Sequence, residues 1–235
     1  IKEDMKNPIM ASVSGTFSMA LMLLSVYVKP FIGMAAFYIW ILAIILHVIL
    51  IVYFTVKFIL KLEMPKVFAS YYIVYVGIAV AAITAPAYEQ FGVGTVAFWF
   101  GLITLVALLV LVTIRYIKCK EVPNPAKPLI CIYAAPTSLC LSGYIQSVTP
   151  KSKTMVLTLF VVATVLYIFA LVKAIGYLKL PFFPSYAAFT FPFVISAIAS
   201  KQTIACLMNM GSPIPILQYW VLIETIIATM FVIYV

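Results

Sequence analysis

Charge is scarce in this sequence. Only 9% of its 235 residues are charged, six of them acidic, while 66% are hydrophobic. With a mean hydropathy of +1.21, the chain lacks the polar surface that a soluble domain needs to cover its core. Reactive side chains are as scarce. There is one histidine, His47, and no Asp lies within any long apolar run. No Ser-His-Asp or Cys-His arrangement is legible, and an enzyme is therefore not expected. The four cysteines (Cys119, Cys131, Cys140 and Cys206) form no CxxC pair and have no histidine beside them. They read as small buried hydrophobes rather than metal ligands or a redox pair, so neither a metal nor a cofactor is expected. The chain opens "IKEDMKNP" with no initiator Met and no signal-peptide pattern, and its natural start is expected to lie further upstream.

What is present in abundance is the long apolar run. Stretches of 18 or more apolar residues recur, which defines an all-α integral membrane protein of several spans. The net charge of +9 then reads as lysines that fix topology at the bilayer surface, not as a nucleic-acid footprint. Prolines mark a repeat: Pro8, Pro65, Pro125 and Pro181 each precede a span, at intervals of 57, 60 and 56 residues. Each unit reads as proline, helix, short loop, second helix. The expected spans are 8–29 with 33–60, 65–86 with 95–117, 125–147 with 154–176, and 181–205 with 216–235. Eight helices in four antiparallel hairpins (8–60, 65–117, 125–176 and 181–235) thus make one transmembrane domain over 1–235. Charge supports this pairing. Between the hairpins and at the N-terminal end lie Lys2, Lys6, Lys57, Lys61, Lys66, Arg115, Lys118, Lys120, Lys127, Lys173 and Lys179, eleven of the 15 basic residues. Loops inside hairpins hold only Lys29, Lys151, Lys153 and Lys201, so the hairpin-connecting side is expected to be cytoplasmic.

The two helices of a hairpin differ in kind. Second members such as "ILAIILHVILIVYFTVKFIL" and "LITLVALLVLVTIRYI" are bulky and apolar nearly all round, as lipid-facing helices can be. First members carry small and hydroxylated residues, as in "ASVSGTFSMA", "ASYYIVYVGIAVAA" and "YAAPTSLCLSG". Small residues permit close backbone approach and leave room along an axis, which places the first members inside. Aligned on their prolines, the first members put Gly15, Gly77, Pro136 and Pro192 at matching mid-helix positions, 62, 59 and 56 residues apart. Each weakens the helical hydrogen-bond ladder. One such residue is an ordinary kink, since Gly and Pro are common in membrane helices. Four in register suggest a shared, partly hydrated axis, because freed backbone groups in a bilayer need protein or water to satisfy them.

The stretch "FPSYAAFTFPFVISAIASK", with "MPKVFASYYIVYVGIAVAA" and "NPIMASVSGTFSMAL", resembles the tellurite-resistance/dicarboxylate transporter family. That family includes bacterial tellurite-resistance proteins, fungal malate permeases and the slow anion channels of plant guard cells. The resemblance covers the whole chain, and its most specific element is Ala-Phe-Thr-Phe-Pro, residues 188–192. It implies ten helices in five hairpins around a central pore, odd helices inside and even helices outside, assembled as a homotrimer in the plasma membrane. Only four hairpins are legible here, and "NPIMASVSG" is similar to the start of the family's second, so the first hairpin is expected to be missing. The resemblance also implies a phenylalanine that closes the pore beside the ninth-helix kink, which maps to Phe191. Phe189 and Phe193 lie roughly 200° away around the helix and should pack against neighbouring helices.

Function is then read from absences. The inner helices hold no Asp or Glu to attract cations, and they offer hydroxyls, with Ser14, Thr137, Thr190 and Ser196 the pore-lining candidates. Lys201 is expected at the end of its helix, as a charge that concentrates anions at the pore mouth or as a solvated loop residue. These features point to an anion-selective channel or passive transporter for small inorganic or carboxylate anions. The alternative is a proton-coupled carrier of C4-dicarboxylates such as malate, or of tellurite or sulfite. Such coupling needs a titratable group inside the bilayer, for which Glu224 and His47 are the candidates; each also reads as a structural group hydrogen-bonded to a neighbour. Apart from those anions, the expected partners are lipid and two further copies of the chain, not nucleic acid.

Overall fold

A computed structural model describes residues 3–235. Lys2, counted above among the basic residues, lies outside them. Regular structure among the described residues is helical throughout: α1 (Pro8–Val13), α2 (Gly15–Ile32), α3 (Ala35–Phe54), α4 (Tyr71–Tyr75), α5 (Ala79–Thr84), α6 (Phe91–Lys118), α7 (Ala135–Ser147), α8 (Lys153–Tyr177), α9 (Phe191–Asn209) and α10 (Leu217–Tyr234). Segments Asn124–Ala134 and Pro184–Phe189 wind more tightly, as 3-10 helices leading into α7 and α9. Among the described residues, seven stretches are long and apolar enough to cross a membrane. The eighth expected span, 65–86, is interrupted. It runs as α4, a turn over 76–78, α5 and a short 3-10 segment, Ala85–Tyr88. Gly77 lies in that turn, and Pro86 prevents the α ladder from continuing.

Local chemistry explains the ends. Asn7 caps α1 by accepting from the N–H groups of Ile9 (2.9 Å) and Met10 (3.4 Å), with Pro8 at the first helical position, where no N–H is needed. Gly33 adopts φ +57° and ψ −125°, a positive-φ conformation open to glycine, where the chain reverses between α2 and α3.

The chain forms two compact units, Ile1–Lys120 with Gln146–Val148, and Glu121–Ile145 with Thr149–Val235. In the first unit α2 packs on α3 and α5 on α6; in the second α8 packs on Asn124–Ala134 and α10 on α9. Within each unit, elements that follow one another in the chain pack together in pairs. Burial separates their two kinds of helix. Within the most apolar 18 residues of the inner spans Pro8–Ile32, Asn124–Ser147 and Pro184–Asn209, 39, 94 and 56% are buried, against 17 to 28% for their hairpin partners. α4 and α5 are buried almost throughout, against 33% for their partner α6. Bulky side chains such as Ile103, Val106 and Val110 stay exposed on α6, as suits a lipid-facing helix.

The chain's single arginine is buried at the end of α6. Its guanidinium donates to the carbonyls of Pro65 (3.1 Å) and Cys119 (3.2 Å) and lies 4.6 Å from the Phe68 ring centroid. A cation at a helix C-terminus is favoured by the helix dipole. Here it also ties α6 to the entry of its hairpin partner.

Candidate functional site

In every inner span of the described residues the helical winding is interrupted or changes close to the glycine or proline that the sequence places there. In the first unit α1 gives way to α2 at Ser14, immediately before Gly15, and α4 and α5 are separated by the turn containing Gly77. In the second unit the 3-10 segment Asn124–Ala134 hands over to α7 one residue before Pro136. Pro184–Phe189 hands over to α9 across Thr190, whose backbone (φ −91°, ψ −88°) is neither helical nor extended. The two prolines correct the sequence reading in one respect. They do not break continuous helices from within. Each stands second in a new helix, where a residue without an N–H and with φ near −65° starts the ladder at little cost.

The three phenylalanines around the α9 start separate clearly. Phe189 and Phe193 are fully buried. Ring centroids put Phe189 4.8 Å from Tyr186 and 5.6 Å from Phe231, and Phe193 5.3 Å from Tyr167 and 4.7 Å from Phe231. Phe231 of α10 thus clamps both. Phe191 is half-buried and takes no part in this aromatic packing.

The hydroxyl candidates divide as well. Ser14 is exposed and donates to the Ala11 carbonyl (2.7 Å), and Thr190 donates to the Ala187 carbonyl (2.8 Å). Ser196 is buried and occupied. It lies 2.9 Å from the Pro192 carbonyl, 3.0 Å from the Ala134 carbonyl and 3.1 Å from the Ser138 hydroxyl, which itself donates to Ala134 (2.9 Å). This serine pair joins the breaks of the two inner helices of the second unit through the carbonyl at the very end of one 3-10 segment. Thr137, in the first turn of α7, is buried with its hydroxyl unpartnered.

Lys201 is exposed but does not end its helix, because α9 runs on to Asn209. The expectation that it marks a helix end is corrected accordingly. Polar residues along 201–205 break the hydropathy without breaking the helix, since Lys and Gln are good helix formers.

The two ionisable candidates lie in different units. Glu224 belongs to the single buried stripe of α10, with Ala228 and Phe231. Ser200 and Trp220 face its carboxyl, Tyr167 lies nearby, and its Oε2 has no hydrogen-bond partner. His47 is fully buried in α3 and contacts the Ser18 hydroxyl through Nδ1 (2.7 Å) and the Val74 carbonyl through Nε2 (3.0 Å). Its ring lies beside Gly15 and Gly77, where neighbouring atoms leave no room for a side chain. A Cβ on Gly77 would stand 2.1 Å from the Ile73 carbonyl oxygen and 3.0 Å from His47 Cε1, and one on Gly15 would stand 3.0 Å from Leu50 Cδ2. Gly77→Ala is therefore expected to cost about 2–3 kcal/mol by overpacking, read as a lower Tm in detergent. An unchanged Tm would contradict this close packing.

Sequence reasoning identified the hydroxyls but not their pairing, since which helix faces which is set by packing. The tight winding of the segments before α7 and α9 left a trace, in the closely spaced prolines of "NPAKP" and "LPFFP".

These features define a multi-pass membrane protein whose inner spans are rich in small residues and carry no acidic side chain. The chain belongs to the voltage-dependent anion channel family SLAC1, whose model matches residues 1–235. Its class of function is thus anion channel or transport activity in a membrane, not catalysis. No curated protein matches the chain.

Proposed function

We propose that the protein passes small anions down their gradient along its broken inner helices, with the ring of Phe191 as the gate. The supporting observation is the isolation of Phe191. Of three neighbouring phenylalanines it alone stays out of the aromatic packing, and it follows directly on the irregular backbone of Thr190. A ring so placed can swing without dismantling the core. Across a passage narrower than a hydrated ion, it forms a dewetting barrier. Gly15, Gly77, Pro136 and Pro192 shape the passage. Ser14, Thr137 and Thr190 offer hydroxyls to a partly dehydrated anion, while the absence of acids along these helices disfavours cations. We further propose a homotrimer in the plasma membrane, with the hairpin-connecting loops cytoplasmic.

A second reading rests on Glu224, a buried acid with one oxygen unpartnered. An intramembrane carboxyl is a candidate proton site, which is what a carrier of malate or a similar dicarboxylate would need. Flux into proteoliposomes separates the two. The channel reading predicts downhill chloride and nitrate flux that needs no pH gradient, whereas malate accumulation against its gradient after a pH step would establish the carrier.

A further inference from the structure

We propose that His47, although on an outer helix, is a positioning residue of the anion pathway, because its imidazole ties together the breaks of the first two inner helices. The inference rests on the pore reading above and goes beyond it in assigning what holds the broken segments in place.

The turn between α4 and α5 disturbs the backbone ladder. The N–H groups of both Val76 and Gly77 donate to Tyr72 O, and that of Ala79 donates to Val76 O, so the backbone bonds on either side pass over Val74 O. His47 Nε2 reaches that carbonyl at 3.0 Å. A carbonyl only accepts, so the proton sits on Nε2. Nδ1 of the neutral ring then accepts from the Ser18 hydroxyl at 2.7 Å, whose single hydrogen is shared with the Gly15 carbonyl 2.9 Å away. Both ring nitrogens are thereby satisfied inside the protein, as buried polar groups require. The ring carbon between them stands close against the turn at Gly77 and in ordinary contact with Gly15. It would stand 3.0 Å from a Cβ on Gly77 and 3.6 Å from one on Gly15. The imidazole is thus a strut: one nitrogen holds the first inner helix, the other the second, and its edge sets how closely the two breaks approach. The second unit solves the same problem differently, with the Ser138–Ser196 pair converging on Ala134 O.

Two substitutions separate the strut from a general packing role. His47→Gln keeps an N–H donor near the Nε2 position, and His47→Leu keeps bulk without a donor. Two measurements are made on each purified protein: amide hydrogen exchange over residues 76–81, and the nitrate-to-chloride permeability ratio from reversal potentials in planar bilayers. His47→Leu should speed exchange there by about tenfold or more, because the segment opens locally once its carbonyl is released. It should also shift the permeability ratio at least twofold, with His47→Gln close to wild type in both. A loss of packing alone would lower the yield of folded protein and leave the permeability ratio unchanged. Should His47→Leu fail to fold, Ser18→Ala removes the donor to Nδ1, together with that hydroxyl's bond to Gly15 O, and is expected to move both readouts in the same direction. Unchanged exchange in the variant overturns the strut. Faster exchange with an unaltered ratio overturns the positioning role. A wild-type protein that carries no anion at all contradicts the pore reading while leaving the exchange test intact.

Discussion

Phe191→Ala is expected to raise chloride flux through reconstituted protein by about 10- to 100-fold, the change that follows from lowering a barrier by about 1.4–2.7 kcal/mol. Truncation removes the ring while leaving Pro192 to start α9, so the backbone that places residue 191 is unchanged. The stability cost should be small. Phe191 is half-buried and stands outside the aromatic packing, so a truncated side chain leaves no core cavity. The fold of the variant is checked by its Tm, and the flux by chloride efflux from loaded vesicles. A well-folded variant with wild-type flux would remove Phe191 as the gate.

The opposite result is expected two residues on. Phe193 is fully buried between Tyr167 of α8 and Phe231 of α10. Phe193→Ala therefore empties a core site at the junction of three helices, and truncations of this kind cost about 3–5 kcal/mol. Thermal unfolding in detergent should show a large fall in Tm and a low yield of folded protein, with no selective gain in flux. The contrast is what identifies a gate. Two phenylalanines a short distance apart in sequence should fail in opposite ways, one by opening the passage and the other by loosening its wall. Equal losses of stability in the two variants would mean that Phe191 is an ordinary packing residue.

Much of this organisation is legible in the sequence, because the bilayer leaves few alternatives. Apolar runs of bilayer length had to be helices, and small residues in one helix of each pair had to face protein rather than lipid. The break positions follow from Gly and Pro, whose backbone chemistry acts locally. What was not legible depends on contacts between helices far apart in the chain. Hydropathy shows that the single histidine lies mid-span, but not that Val74 O has been passed over by its own ladder and lies opposite. The tight winding ahead of α7 and α9 left only its closely spaced prolines as a trace, since a periodicity of three and one of 3.6 differ little over a few residues. Lys201 misled for a related reason. A lysine in an apolar run suggests an end, yet a long, flexible side chain can carry its charge outward while the helix continues.

Ion selectivity of the purified protein tests the account most directly. In a planar bilayer between unequal KCl solutions at one pH, current through the wild type and through Phe191→Ala should reverse near the chloride equilibrium potential. The variant should carry the larger current. Reversal near the potassium equilibrium potential, or transport that appears only when a pH difference is imposed, would contradict it.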